Sequence, residues 1–168
     1  MATVQRKPGI DLPGARLNPV GRTHVRNEAH CSSPGFDADV VLVLRSDLRY
    51  LSLIRRVTDD VTSGVNLRGE AAEEVKLAVG EACANAIRHG SPRGRADRIM
   101  VVFAHDDSGL TVEVADTGPG ICPKPDGRRC RLRMGGYGIR LMRALMDDVQ
   151  FVEMERGTRV IMTKRIRN

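Results

Sequence analysis

The sequence predicts an α/β fold: a two-layer sandwich with a mixed, mainly antiparallel sheet covered on one face by about three helices. Three observations predict it. Two pairs of β-branched runs are joined by short turn-forming stretches, "RIMVVFAHDD" with "LTVEVAD" and "VQFVEME" with "TRVIMTKRI", which are hairpin signals. Three other segments carry apolar residues at three- and four-residue steps, the period of amphipathic helices. The resulting order, β-α-α-β-β-α-β-β, lacks the regular βαβ alternation of a Rossmann fold, so the helices must collect on one face of the sheet.

The elements follow in order. Residues 1–36 are rich in Pro, Gly, Arg and Asn without a period, and read as a flexible extension preceding a single domain, 37–168. "DADVVLVLRS" is a short β-branched run, a strand over 38–44. Ser46 is placed to cap a helix over 47–63, whose stripe is Leu48, Leu51, Ile54, Val57 and Val61. A second helix spans 70–89, with Val75, Ala78, Val79, Ala82 and Ala86 as its stripe and Gly90 as its stop. The first hairpin turns at Asp107–Ser108–Gly109. A long loop, 116–136, leads to a third helix beginning "GIRLMRALMDD", and the second hairpin turns at Arg156–Gly157.

Composition narrows the class. In 168 residues there is no Trp, so the core rests on Val, Leu, Ile, Ala and Met. No apolar run approaches the ~18 residues needed to span a bilayer. No apolar h-region follows the basic N-terminus, which argues against a secretory signal and for a cytoplasmic protein with no membrane partner. The four cysteines, Cys31, Cys83, Cys122 and Cys130, contain no CxxC pair, so neither a zinc site nor a structural disulfide is expected; Cys122 and Cys130 do bracket one loop, where a redox clip is conceivable. The net charge of +6 is concentrated, with +3 in residues 1–36 and +4 in residues 122–134. A nucleic-acid protein spreads basic residues over a folded face, so no direct nucleic-acid partner is expected. Arg49, Arg55 and Arg56 fall on the first helix, partly opposite its apolar stripe, where a solvated face or a partner surface would both fit.

Three segments carry candidate chemistry. "EACANAIRHG" (81–90) is a small-residue helix, yet it places Glu81 and Asn85 four apart, on one face, with Cβ atoms about 5–6 Å apart. An unpartnered buried carboxylate is costly, so the pair belongs at the margin between core and exterior, where a pocket can be lined. "DTGPGI" (116–121) follows a strand directly; Gly118 and Gly120 permit tight turns and close approach of a ligand, and Asp116 can accept from an amino group. "GGYGIRLM" (135–142) leads glycines into a helix N-terminus, where free N–H groups and the dipole favour phosphate. There is no GxxxxGK[ST], no HRD and no DFG, which excludes a P-loop protein and a eukaryotic-type protein kinase.

Taken in this order, the three pieces resemble the boxes of the ATP-binding domain shared by gyrase, Hsp90, histidine kinases and MutL, the GHKL or Bergerat fold. "GTRVIMT" (157–163) resembles its closing strand, and "LAVGEACANAIRHG" with "GYGIRLMRALMDDVQF" resembles the bacterial anti-sigma factor serine/threonine kinases. The resemblance covers about residues 38–166. It implies ATP as ligand, with Asn85 as the Mg²⁺ ligand, Glu81 as the general base, and Asp116 receiving the adenine amino group. Gly118 and Gly120 would shape the base pocket, supported by Thr158, and Gly136 and Gly138 would offer N–H groups to the phosphates. Residues 122–134 would be the lid, with Arg131 or Arg133 near the γ-phosphate. The implied partners are a sigma factor and an anti-anti-sigma protein that is phosphorylated on Ser or Thr; the pattern is compatible with homodimers. The alternative within the same fold is an ATP-binding module that sequesters a transcription regulator without kinase activity.

Overall fold

A computed structural model of the chain describes residues 3–6, 39–116, 136–154 and 157–166. Its strands are β1 (Thr3–Arg6), β2 (Val40–Arg45), β3 (Arg98–Asp106), β4 (Gly109–Asp116), β5 (Asp148–Glu153) and β6 (Thr158–Arg165). Its helices are α1 (Leu51–Gly64), α2 (Glu70–His89) and α3 (Tyr137–Leu145). Single 3-10 turns stand at Leu48–Tyr50 and Gly94–Ala96.

The strands form one sheet of order β1-β2-β3-β4-β6-β5, and every described pairing is antiparallel. The expected mixed sheet is therefore corrected to an antiparallel one. β5 does run in the same direction as β4, but β6 lies between them, so no parallel ladder forms. Within the segment 1–36, in which the sequence signals no strand, β1 pairs with β2 from Thr3↔Val43 to Arg6↔Val40. Four residues are too few for a two-residue period to stand out in a sequence. Residues 7–38 lie outside the described residues.

On the central strands every second residue joins the helix-facing core. Ile99, Val101 and Phe103 of β3 and Leu110, Val112 and Val114 of β4 are almost wholly buried and join one core with Ile54, Val75, Val79 and Met142 of the helices. The helices thus form a second layer on one side. α2 lies in the middle of it, flanked by α1 and α3.

Two local expectations shift. The 3-10 turn that precedes α1 is capped by Asp47, whose carboxylate accepts from Arg49 N–H at 3.1 Å, while α1 itself has no side-chain cap. Ser46 instead continues the sheet: its N–H donates to Asp97 C=O at 3.0 Å, and its buried hydroxyl has no partner. The buried face of α1 is Ile54, Thr58, Val61 and Thr62, while Leu48 is 44 % exposed. Thr58 and Thr62 are tolerated inside because their hydroxyls donate to helix carbonyls, Ile54 at 2.8 Å and Asp59 at 3.0 Å. α2 matches its predicted span and buries all five residues of its stripe. Two acids stand in its first turn (Glu70, Glu73) and two basic residues in its last (Arg88, His89), complementing the helix dipole.

Candidate active site

The C-terminal half of α2 carries the site. Glu81 and Asn85 are half-buried and one turn apart, and Asn85 Nδ2 donates to Glu81 Oε1 at 3.1 Å. The helical spacing makes this contact, and the small neighbours Ala82 and Ala86, both buried, let α2 sit close to the sheet while Glu81 and Asn85 stay at its margin. Donation through the amide nitrogen leaves the Asn85 carbonyl oxygen to serve as a ligand. Cys83, between them in sequence, is fully buried, and burial pushes its thiol up to about 12. It is a packing residue, not a nucleophile.

The first turn of α3 closes on this pair. A Cβ at Gly138 would lie 2.7 Å from Glu81 Cδ and 2.9 Å from its Cγ. Only glycine lets the α3 backbone approach that carboxylate so closely. Gly136 is the N-cap of α3, with its carbonyl accepting from the Ile139 and Arg140 N–H groups; it is exposed, and a Cβ there would meet nothing within 4 Å.

About 7 Å further along α2, at the rise of a helix, lies the second cluster. Asp116 ends β4 and is 6 % exposed, and Thr158 N–H donates to its Oδ1 at 3.3 Å. Gly90, just past α2, would strike the Asp116 carboxyl group if it carried a Cβ. Gly157, at φ +88°, would strike the Asp116 backbone carbonyl. The aspartate is thus held between a helix end and a strand start, both glycine-lined. Thr158 supports it through its backbone N–H.

The structure therefore brings together Glu81, Asn85 and Gly138 in one cluster and Asp116 with Thr158 in the other, with Gly136 at the mouth of α3. Gly118, Gly120 and the lid residues Cys122, Cys130, Arg131 and Arg133 lie outside the described residues. Sequence reasoning took Gly90 for a helix stop and Gly157 for a turn, and missed their contact with Asp116. That contact needs the sheet register and the α2 end together, and neither segment signals it alone. A cleft of about 630 Å³ lies at the other end of α2, lined by Glu70, Glu74, Leu145 and Lys164 among others, and no predicted site residue borders it.

The donor set fits a magnesium nucleotide. Among the described residues no group of three or more His, Cys, Asp or Glu could hold a metal by itself. Mg²⁺ keeps most of its waters and takes few protein ligands beside substrate phosphates, so one carboxamide oxygen matches its habit.

An aspartate at a strand end, a carboxylate–carboxamide pair on the covering helix and a glycine-led helix opposite it define a nucleotide-binding class, and comparison with known domains agrees. Residues 44–164 match the histidine kinase-like ATPase domain, and the chain belongs to that family. Among curated proteins it is similar to the serine-protein kinase RsbW. The Bacillus licheniformis protein is 32 % identical over 125 residues, covering 68 % of this chain and 78 % of that one. The Listeria monocytogenes serovar 1/2a protein is 32 % identical over 137 residues, covering 76 % and 87 %. A solved histidine kinase domain, from the Erythrobacter litoralis EL346 blue-light activated histidine kinase, aligns at 19 % identity and a TM-score of 0.48, over 79 % of this chain and 64 % of that one. No described helix is long and apolar enough to cross a membrane.

Proposed function

We propose that the protein is an ATP-dependent serine/threonine kinase that acts as a cytoplasmic anti-sigma factor. It phosphorylates an anti-anti-sigma protein and sequesters a sigma factor, exchanging the two partners as the acceptor changes phosphorylation state. The observation that carries this reading is the Glu81–Asn85 hydrogen bond facing Gly138. A pure binding module needs neither a base nor a metal ligand beside its nucleotide.

In this reading Asp116 receives the adenine amino group, with its carboxylate oriented by the Thr158 N–H and walled by Gly90 and Gly157. Gly118 and Gly120 shape the base pocket. The N–H groups at Gly136 and Gly138, at the positive end of α3, receive phosphate oxygens. Asn85 would hold Mg²⁺, which when bound neutralises charge on the phosphates. Glu81 takes the proton of the acceptor Ser or Thr hydroxyl as that oxygen bonds to the γ-phosphorus. The bond from phosphorus to the bridging oxygen breaks, and ADP leaves with its electron pair. Positioning and charge stabilisation do most of the work in such transfers, and a correctly placed base adds roughly 10²–10⁴-fold.

The test is to mix the protein with Mg-ATP and candidate antagonists. A phosphoserine or phosphothreonine should appear, and Glu81→Gln should abolish it while nucleotide still binds. ATP binding with no transfer to any candidate would favour the non-kinase sequestering module. The family pattern is also compatible with homodimers, which sedimentation would reveal.

A further inference from the structure

Five arginines crowd the same end of the sheet as Asp116. Arg45 closes β2 and Arg98 opens β3, directly paired across the ladder. Arg49 lies in the turn before α1, and Arg93 and Arg95 in the loop after α2. The two segments form one surface, tied by that register and by the Ser46–Asp97 backbone bond. Because Ile99 pairs with Asp116, the surface borders the nucleotide end of the sheet.

Two carboxylates hold three of these arginines in place. Arg49 Nη2 and Arg95 Nε converge on Asp47 Oδ2 at 3.1 and 2.7 Å, and Arg93 Nε meets Asp97 Oδ1 at 2.7 Å. The acids are sunk, with side chains 11 % and 0 % exposed, while those of Arg49, Arg95 and Arg93 remain 72 %, 64 % and 66 % exposed. Hydrogen bonds from Arg49 and Arg93 hold both acids below the usual carboxylate range, so they stay ionised at neutral pH. The segments 45–49 and 91–98 together hold five arginines and two aspartates. Within this surface, Leu48 is 44 % exposed.

We infer that this arginine surface, with Leu48 within it, is a docking site for an acidic face of the phosphoacceptor protein. Arg is enriched and Lys depleted at protein–protein interfaces, and neither of the segments 45–49 and 91–98 contains Lys. The planar guanidinium fork matches carboxylates, and pre-ordered side chains lose less freedom on binding. An exposed leucine suits a protein contact and offers nothing to phosphate. Nucleic acid fits less well: the segments 45–49 and 91–98 hold no aromatic ring for stacking. The surface is distinct from Arg55 and Arg56, which are exposed on α1 beyond this turn.

The partner's identity rests on the kinase reading, and the test separates the two. The double variant Arg49→Glu/Arg95→Glu should raise KM for the acceptor protein at least tenfold at low salt, with kcat within twofold and ATP affinity unchanged. The rise should shrink as salt is added, because rim charges act mainly through steered association. Arg45→Glu places an acid opposite Arg98, a favourable cross-strand pair, so it should fold normally and still raise KM severalfold. Leu48→Ala should weaken docking equally at low and high salt. An unchanged KM in both charge variants, with transfer intact in the parent protein, would overturn the docking site and leave the kinase standing. If the parent protein shows no transfer, calorimetric binding of the same acceptor takes the place of KM. Duplex DNA that displaces the acceptor from the parent protein, but does not bind the double variant, would assign the surface to nucleic acid and overturn the inference.

Discussion

Gly138→Ala tests the site more sharply than removal of a catalytic group. Alanine is a better helix former than glycine by up to about 1 kcal/mol, so in open space the change would stabilise α3. Here the new carbon would stand 2.7 Å from Glu81 Cδ and 2.9 Å from Cγ. Carbon atoms settle at about 3.5–4.0 Å, and the new carbon would also overlap Glu81 Oε1, so the carboxyl end must retreat by at least about 1 Å. Glu81 can do this cheaply for stability, because it is the tip of a flexible side chain at the core margin. It cannot do so and keep its 3.1 Å bond to Asn85 and its aim at the acceptor hydroxyl. A misplacement of about 1 Å can cost roughly 10²-fold in rate, about 2.7 kcal/mol of barrier. The variant should therefore keep a Tm within about 3 °C of the parent, bind ATP, and lose about 10²-fold in phosphotransfer kcat. Gly136→Ala, with open space at its Cβ, is the control and should stay within about threefold. Thermal unfolding, nucleotide calorimetry and a single-turnover transfer assay read the three quantities. Full transfer by Gly138→Ala would refute the role of Glu81, and equal loss in Gly136→Ala would refute the steric reasoning.

Four further outcomes are expected. Asp116→Asn keeps an oxygen to accept from Thr158 N–H, so it should fold normally, yet lose about ten- to a hundredfold in adenine-nucleotide affinity by calorimetry, the worth of one charged hydrogen bond. Gly157→Ala forces a side chain into φ +88° against the backbone of Asp116, which cannot swing away; about 3 kcal/mol should be lost, lowering Tm by about 10 °C. The Asp97 carboxyl is held below its ordinary 3.8, chiefly by the Arg93 side-chain hydrogen bond and against the opposing effect of burial. Its contribution to stability is therefore present in full above about pH 4 and is lost as pH falls below 3.8, and Arg93→Ala should flatten urea-measured stability over that acidic window. Cys83, pushed up to about 12 by burial, should resist iodoacetamide at pH 8 in the native protein and react once unfolded, as peptide mapping would show.

What a sequence displays depends on whether a feature is local. α2 was legible to the residue because its stripe, its terminal charges and its closing glycine all lie within one twenty-residue segment. The hairpin at Asp106 was legible because its turn chemistry is contiguous: Asp106 accepts from the Ser108 and Gly109 N–H groups. The Glu81–Asn85 bond was legible for the same reason, being an i,i+4 contact. Thr58 and Thr62 were passed over because polarity hides them, although each hydroxyl satisfies itself within α1.

The long-range features were not legible from periodicity. Gly90 and Gly157 are separated by 67 positions, yet both meet Asp116 because α2 ends where β4 ends and β6 begins. Resemblance named the boxes; the sheet register supplies their reason, since each glycine stands where a side chain would displace the aspartate. The same division separates the two arginine sets. Arg55 and Arg56 are read from one helix, whereas the surface of Arg45, Arg49, Arg93, Arg95 and Arg98 exists only because β2 and β3 are paired. In the proposed kinase reading, this surface holds the protein substrate at the Asp116 end of the sheet, away from Glu81. Affinity can then be gained or lost at the sheet end without moving Glu81, and partner exchange can proceed without altering the chemistry.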